Sequence, residues 1–180
     1  MITLFVHRVA GRRIGRYTRE THSARDTQLM ETPKQILDRA RSRAVQMGLP
    51  YAGALTPLEA AALLQAEPGS KLVDVRTRAE WEWVGRVPGA VLVEWNGWPG
   101  GVRNPDFERD LLAKVPDKTH PVLFICRSGG RSHHAAMAAA QLGYAHALNV
   151  LEGFEGNKDP NGHRATVGGW KVAGLPWVQS

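Results

Sequence analysis

One residue of this 180-residue chain has the chemistry of a covalent nucleophile and the neighbours to use it. Cys126 is the single cysteine, and it closes the apolar run Val122-Leu123-Phe124-Ile125. Arg127-Ser128-Gly129-Gly130-Arg131-Ser132 follow, and then the alanine-rich stretch from His133 to Ala140. A buried strand would deliver the thiol to its C-terminal end, where open α/β sheets form ligand crevices. Two glycines let the backbone curl so that N–H groups turn inward, and a helix start adds the positive end of its dipole. Arg127 and Arg131 add two full charges. All of these favour thiolate over thiol, so the expected pKa falls below the free value of about 8.5. This reading requires a sulfur open to solvent and amides turned toward it. Two blander readings stand beside it: an inert buried cysteine, and an anion site in which Cys126 is incidental. A merely structural thiol has no use for the flanking cations.

Regular punctuation supplies the elements that must hold this loop. Thr32-Pro33-Lys34-Gln35, Thr56-Pro57-Leu58-Glu59 and Thr77-Arg78-Ala79-Glu80 each read as a helix cap followed by a capping-box partner. Asn104-Pro105 opens a fourth helix with Phe107, Leu111, Leu112 and Val115 as its apolar stripe. Between the helices lie the short apolar runs 72–75, 90–93, 122–125 and 147–150, without polar alternation, as when both faces of a strand are covered. The expected fold is α/β: an open, mainly parallel sheet flanked by helices on both faces.

Composition excludes much else. With one cysteine there is no internal disulfide and no CxxC pair, and no apolar run reaches the roughly 18–20 residues of a membrane span. The net charge of +6 is concentrated in residues 1–29, where six arginines face one Glu and one Asp. The folded body is close to neutral, so neither nucleic acid nor a membrane is an expected partner. Seven histidines show no HExxH-like spacing, and adjacent His133 and His134 point apart on a helix, so no metal and no cofactor is expected. Without disulfides or an exporting signal, the cytoplasm is the expected compartment.

Four segments in order resemble the rhodanese-like sulfurtransferases of the single-domain type. They are Leu72-Val73-Asp74-Val75-Arg76 with Glu80-Trp81, the turn Gly85-Arg86-Val87-Pro88-Gly89-Ala90, the loop Cys126–Ser132, and Leu151-Glu152-Gly153. The chain then divides into a basic, poorly ordered extension (1–31), an N-terminal helix and linker (32–54) and a rhodanese-like domain (55–180). Arg86 stands where the family carries histidine, a structural position. Residues 154–169 form a longer polar loop than the family's, either a shaper of acceptor choice or plain surface. Gly169-Trp170-Lys171-Val172-Ala173-Gly174 resembles the family's closing helix.

The resemblance implies that Cys126 takes the outer sulfur of a small anionic donor, thiosulfate or a related persulfide, as a persulfide. An external thiol, cyanide or a protein acceptor then removes it. Arg127, Ser128, Gly129, Gly130, Arg131 and Ser132 would bind the donor and stabilise the persulfide. Asp74 and Arg76 are secondary site residues, with Arg76 expected to pair with Glu80 across the helix start. The six tryptophans read first as packing residues, with Trp95 and Trp98, which follow a strand end, as alternative rim residues. Two rivals remain: a non-catalytic binding or regulatory module on the same fold, and a cysteine–arginine loop phosphatase or arsenate reductase. The latter cradles put five residues between cysteine and arginine, whereas four lie between Cys126 and Arg131.

Overall fold

The computed structural model describes residues 31–179. The basic extension therefore lies, but for Glu31, outside the described residues. Three of the five helices start where the capping boxes predict. Thr32 caps α1 (Pro33–Met47), Thr56 caps α2 (Pro57–Ala66) and Thr77 caps α3 (Arg78–Trp83). In each, the threonine hydroxyl accepts from the N3 amide while Gln35, Glu59 or Glu80 accepts from the cap amide. α4 (Phe107–Lys114) begins later than Asn104-Pro105 predicts, because the Asn104 side chain accepts from the Asp106 amide at 3.0 Å and holds a turn first. The last helix, α5 (Gly130–Gln141), starts on the glycines that follow Cys126.

Five strands, β1 (Gly53–Leu55), β2 (Lys71–Asp74), β3 (Val91–Leu92), β4 (Val122–Ile125) and β5 (Ala147–Val150), form one sheet in the order β1-β5-β4-β2-β3. Every pairing is parallel, which is stricter than the mainly parallel sheet expected. β1 carries no β-branched residue and is absent from the apolar runs read as strands. It forms because it lies between α1 and β5, with Ala54 and Leu55 fully buried. A boundary at residue 54 therefore cuts through a strand, and α1 belongs to the same body as the sheet.

The strand period of two sorts the core into two layers. Val122 and Phe124 face Phe107 and Leu111 of α4 and Ala135 and Ala139 of α5. Leu123 and Ile125 face Ile36 and Ala40 of α1 and Ala60 and Leu63 of α2. Each fully buried large side chain contributes roughly 1.5–3 kcal/mol relative to exposure. Cys126 continues the alternation and falls on the α5 side. From β4 the chain passes through α5 to β5, and from β2 through α3 to β3 on the other side. β2 and β4 are neighbours, paired through Asp74 and Ile125 at their C-terminal ends, so their following loops diverge and leave a crevice.

Candidate active site

Cys126 is the first residue beyond β4. Its Sγ accepts from the Gly129 amide at 3.2 Å and from the Ser132 hydroxyl at 3.3 Å. Gly129 turns the chain with φ 96°, a conformation glycine reaches without a Cβ penalty, and the first turn of α5 then carries Arg131 and Ser132 back over the loop. Ser132 is fully buried, and its single hydroxyl proton is shared between Sγ and the Gly129 carbonyl at 3.1 Å. Of the expected amide ring, Gly129 supplies the N–H that bonds the sulfur.

Two expectations need correction. The first is that the sulfur is open: Cys126 is 1 % exposed, because it packs among the residues between the sheet and α5. The second is the pairing of Arg76 with Glu80. Arg76 and Asp74 are both fully buried and bond to each other, with Nη2 to Oδ2 at 2.6 Å and Nε to Oδ1 at 3.0 Å. Arg76 also donates to the Gly85 carbonyl at 2.7 Å and lies 4.0 Å over the Phe154 ring. Asp74 and Arg76 thus join the strand end to the loops beneath the crevice instead of lining it. A buried charge needs such a partner at once, and the neighbouring carboxylate on the same strand end is nearer than one on the helix.

Glu80 is consequently available to α5. Arg131 clasps it with two bonds of 2.7 Å, side chains 23 % and 17 % exposed. Burial pushes the Glu80 carboxyl up, but the Arg131 guanidinium and the Thr77 amide and hydroxyl outweigh it and hold it at about 2. Burial works against the Arg131 charge, whereas Glu80, Cys126 and Asp74 all favour it, and the net direction is upward. Arg127 is exposed and has no ion pair among the described residues.

A cleft of about 690 Å³ opens at this corner. α3 lines it with Thr77, Glu80 and Trp83, the loop after β3 with Asn96 to Trp98 and the glycines 100 and 101, and the Cys126 loop with Arg127 and Arg131. Trp98 thus takes the rim position expected of it. Trp95 does not: it packs edge-on against Phe107 at 4.9 Å and beneath the Arg103 guanidinium at 3.5 Å. Trp83 is the residue that the sequence reading missed. Its place at the end of a short amphipathic helix resembles that of a packing residue, yet it is 76 % exposed.

The Leu151-Glu152-Gly153 turn braces the loop from behind. The Phe154 and Glu155 amides donate to the Cys126 and Arg127 carbonyls at 2.8 and 2.9 Å. Gly153 has φ 65°, and a Cβ there would come within 2.7 Å of the Ser128 nitrogen. Glu152 accepts from the Gly169 amide at 2.8 Å and closes the base of the 154–169 excursion, none of whose residues lines the cleft. The expected closing helix at 169–174 is a series of turns, since Gly169 (φ 92°) and Gly174 (φ 69°) bracket too few residues to propagate one. Trp170 within it is buried and donates to the Pro176 carbonyl at 2.9 Å.

The described residues thus form an α/β domain with a wholly parallel sheet and a cysteine–glycine–arginine loop at its switch point. Residues 56–159 match the family model of the Rhodanese-like domain, and the chain belongs to that family. It is 38 % identical over 122 residues to an uncharacterized protein of Rickettsia conorii, RC0915, covering 64 % of this chain and 88 % of that one. It also resembles the crystal structure of Rv0390 from M. tuberculosis, at 44 % identity and a TM-score of 0.67, over 72 % of this chain and 99 % of the other. The polysulfide-sulfur transferase homodimer of Wolinella succinogenes shares the fold at 22 % identity and a TM-score of 0.51, over 77 % and 88 % of the two chains. Among the described residues, no helix is long and apolar enough to cross a membrane, and no group of three or more His, Cys, Asp or Glu side chains could hold a metal ion.

Proposed function

We propose that the protein is a cytoplasmic sulfurtransferase that carries sulfane sulfur on Cys126 between a small anionic donor, thiosulfate or a related persulfide, and an external thiophilic acceptor. The observation that carries this reading is the pair of donors on the sulfur, Gly129 N–H and Ser132 O–H, both suited to a thiolate or a terminal persulfide anion. The Cys126 thiolate attacks the outer sulfur of thiosulfate, and sulfite leaves with the electron pair of the broken S–S bond. Arg127 offers the free cation that draws the donor in, while Arg131 acts through the loop it holds. With no second cysteine, the persulfide is resolved by a molecule from outside.

The 1 % exposure of Cys126 sets a condition: the loop must open for the donor to reach Sγ. That same burial favours the second reading, a non-catalytic binding module. The phosphatase reading loses ground because Arg131 is already committed to Glu80 and is not free to clamp a tetrahedral oxyanion. Incubation with thiosulfate followed by intact-mass measurement tests the proposal. The expected result is a gain of one sulfur atom, removed by cyanide and absent from Cys126→Ser. A native protein that takes up no sulfur, and whose thiol resists iodoacetamide until it is unfolded, would be the binding module instead. Phosphate release from an aryl phosphate without the adduct would restore the phosphatase.

A further inference from the structure

We propose that the cleft selects as sulfur acceptor a monoanionic organic thiol with a flat aromatic body, with Trp83 and Trp98 as its selectivity residues and Arg127 as its charge partner. This rests on the sulfur-transfer reading and adds the acceptor class to it. Size comes first. The cleft holds about 690 Å³, within the roughly 300–1,000 Å³ of sites that enclose whole organic ligands, and an inorganic anion or cyanide fills a small part of it. Charge comes second. Glu80 balances Arg131, which leaves Arg127 as the cleft cation without an ion pair among the described residues, and one cation matches one anionic group. The walls come third. Trp83 and Trp98 keep 76 % and 72 % of their surface in water, and neither stacks on another ring among the described residues. Tryptophan is highly buried on average, so two such faces in one cleft are an apolar surface awaiting a partner. Gly97, Gly100 and Gly101 leave backbone instead of side chains beside Trp98, where a flat body fits without a clash.

The transfer step needs no further reagent. The acceptor thiolate forms a bond to the outer sulfur of the Cys126 persulfide, the bond from that sulfur to Sγ breaks, and its electron pair stays on Sγ as thiolate. The acceptor leaves as a persulfide, with no net oxidation.

The test compares 4-(mercaptomethyl)benzoate with 3-mercaptopropionate, which keeps the carboxylate and an alkyl thiol and lacks the ring, so that both probes are monoanions at neutral pH. Calorimetric binding to the Cys126→Ser protein involves no sulfur chemistry. The aromatic thiol is expected to bind about tenfold or more tightly than mercaptopropionate, and Trp98→Leu or Trp83→Leu to weaken it about three- to tenfold while moving mercaptopropionate far less. Arg127→Gln weakens both. In persulfide-loaded protein, the ratio of kcat/KM for the two thiols is expected to fall by the same factor in each tryptophan variant. Equal binding of the two thiols, or tryptophan variants that leave their ratio unchanged, overturns the acceptor class. Normal binding by a protein that never forms the persulfide sinks the transferase reading and with it the acceptor role, leaving the cleft a site for an aromatic anion; active transfer without ring preference sinks only the acceptor class.

Discussion

Arg131 and Glu80 join the two loops that diverge at the switch point of the sheet, through two bonds of 2.7 Å between the first turn of α5 and the middle of α3. The pair positions the Cys126 loop against the cleft wall, and Glu80 at the same time completes the cap of α3 on Thr77.

Acid should undo this clasp within a defined window. The Glu80 carboxyl sits at about 2 against an ordinary 4.5, so its contribution is complete above pH 4.5 and is lost as the pH falls toward 2. A lowering of this size corresponds to at most about 3 kcal/mol, reduced by the water that screens this half-buried pair. Urea unfolding from pH 6 down to pH 2 should show the wild type losing up to that much more than Glu80→Gln. Glu59, raised by burial but held at about 2 by Arg43 and its other partners, titrates in both proteins and cancels in the difference. Parallel curves for the two proteins would show that the pair is too solvated to matter.

Asp74 and Arg76 are predicted to be structural. Asp74→Ala leaves a guanidinium charge buried without its counterion and should cost about 3–5 kcal/mol in urea unfolding. A loss below about 1 kcal/mol, combined with abolished sulfur uptake, would return Asp74 to the chemistry.

Ser132→Ala removes the hydroxyl from the sulfur while preserving the small buried side chain. A hydrogen bond to a charged group contributes about 1.5–3 kcal/mol, so persulfide formation from thiosulfate should slow by about 10- to 100-fold. Unchanged rates by stopped-flow or quenched mass measurement would leave Gly129 as the sole stabiliser.

Gly153→Ala should damage the loop from behind. The positive φ of 65° and the approach to the Cys126–Ser128 backbone both oppose a Cβ, and the strain is expected to cost about 1–3 kcal/mol. Sulfur uptake should fall in the protein that remains folded. Wild-type uptake and melting temperature in this variant would mean that the turn does not brace the nucleophile.

Local signals carried much of this molecule. A threonine cap and a partner three residues on satisfy their hydrogen bonds within one turn, so Thr32, Thr56 and Thr77 announce their helices without help from the rest of the chain. The runs at 72–75 and 122–125 announce strands for the same reason, since an unbroken apolar stretch of that length is stable only when covered on both faces. Cys126 with its glycines and arginines is contiguous, and its loop could be read directly.

What lay beyond local reading depends on which distant groups meet. Gly53–Leu55 has no strand composition and becomes one through its neighbours. Arg76 has two acidic residues within reach along the chain, and burial of Asp74 beside it decides between them, releasing Glu80 to Arg131 across 51 positions. The exposure of Cys126 and of Trp83 likewise follows from how α5 and α3 settle on the sheet, because solvent access is a property of packing and has no signature in the order of residues. Patterns that close their own hydrogen bonds are written in the chain; charge partners, burial and the shape of the cleft arise only when separated segments compete for the same space.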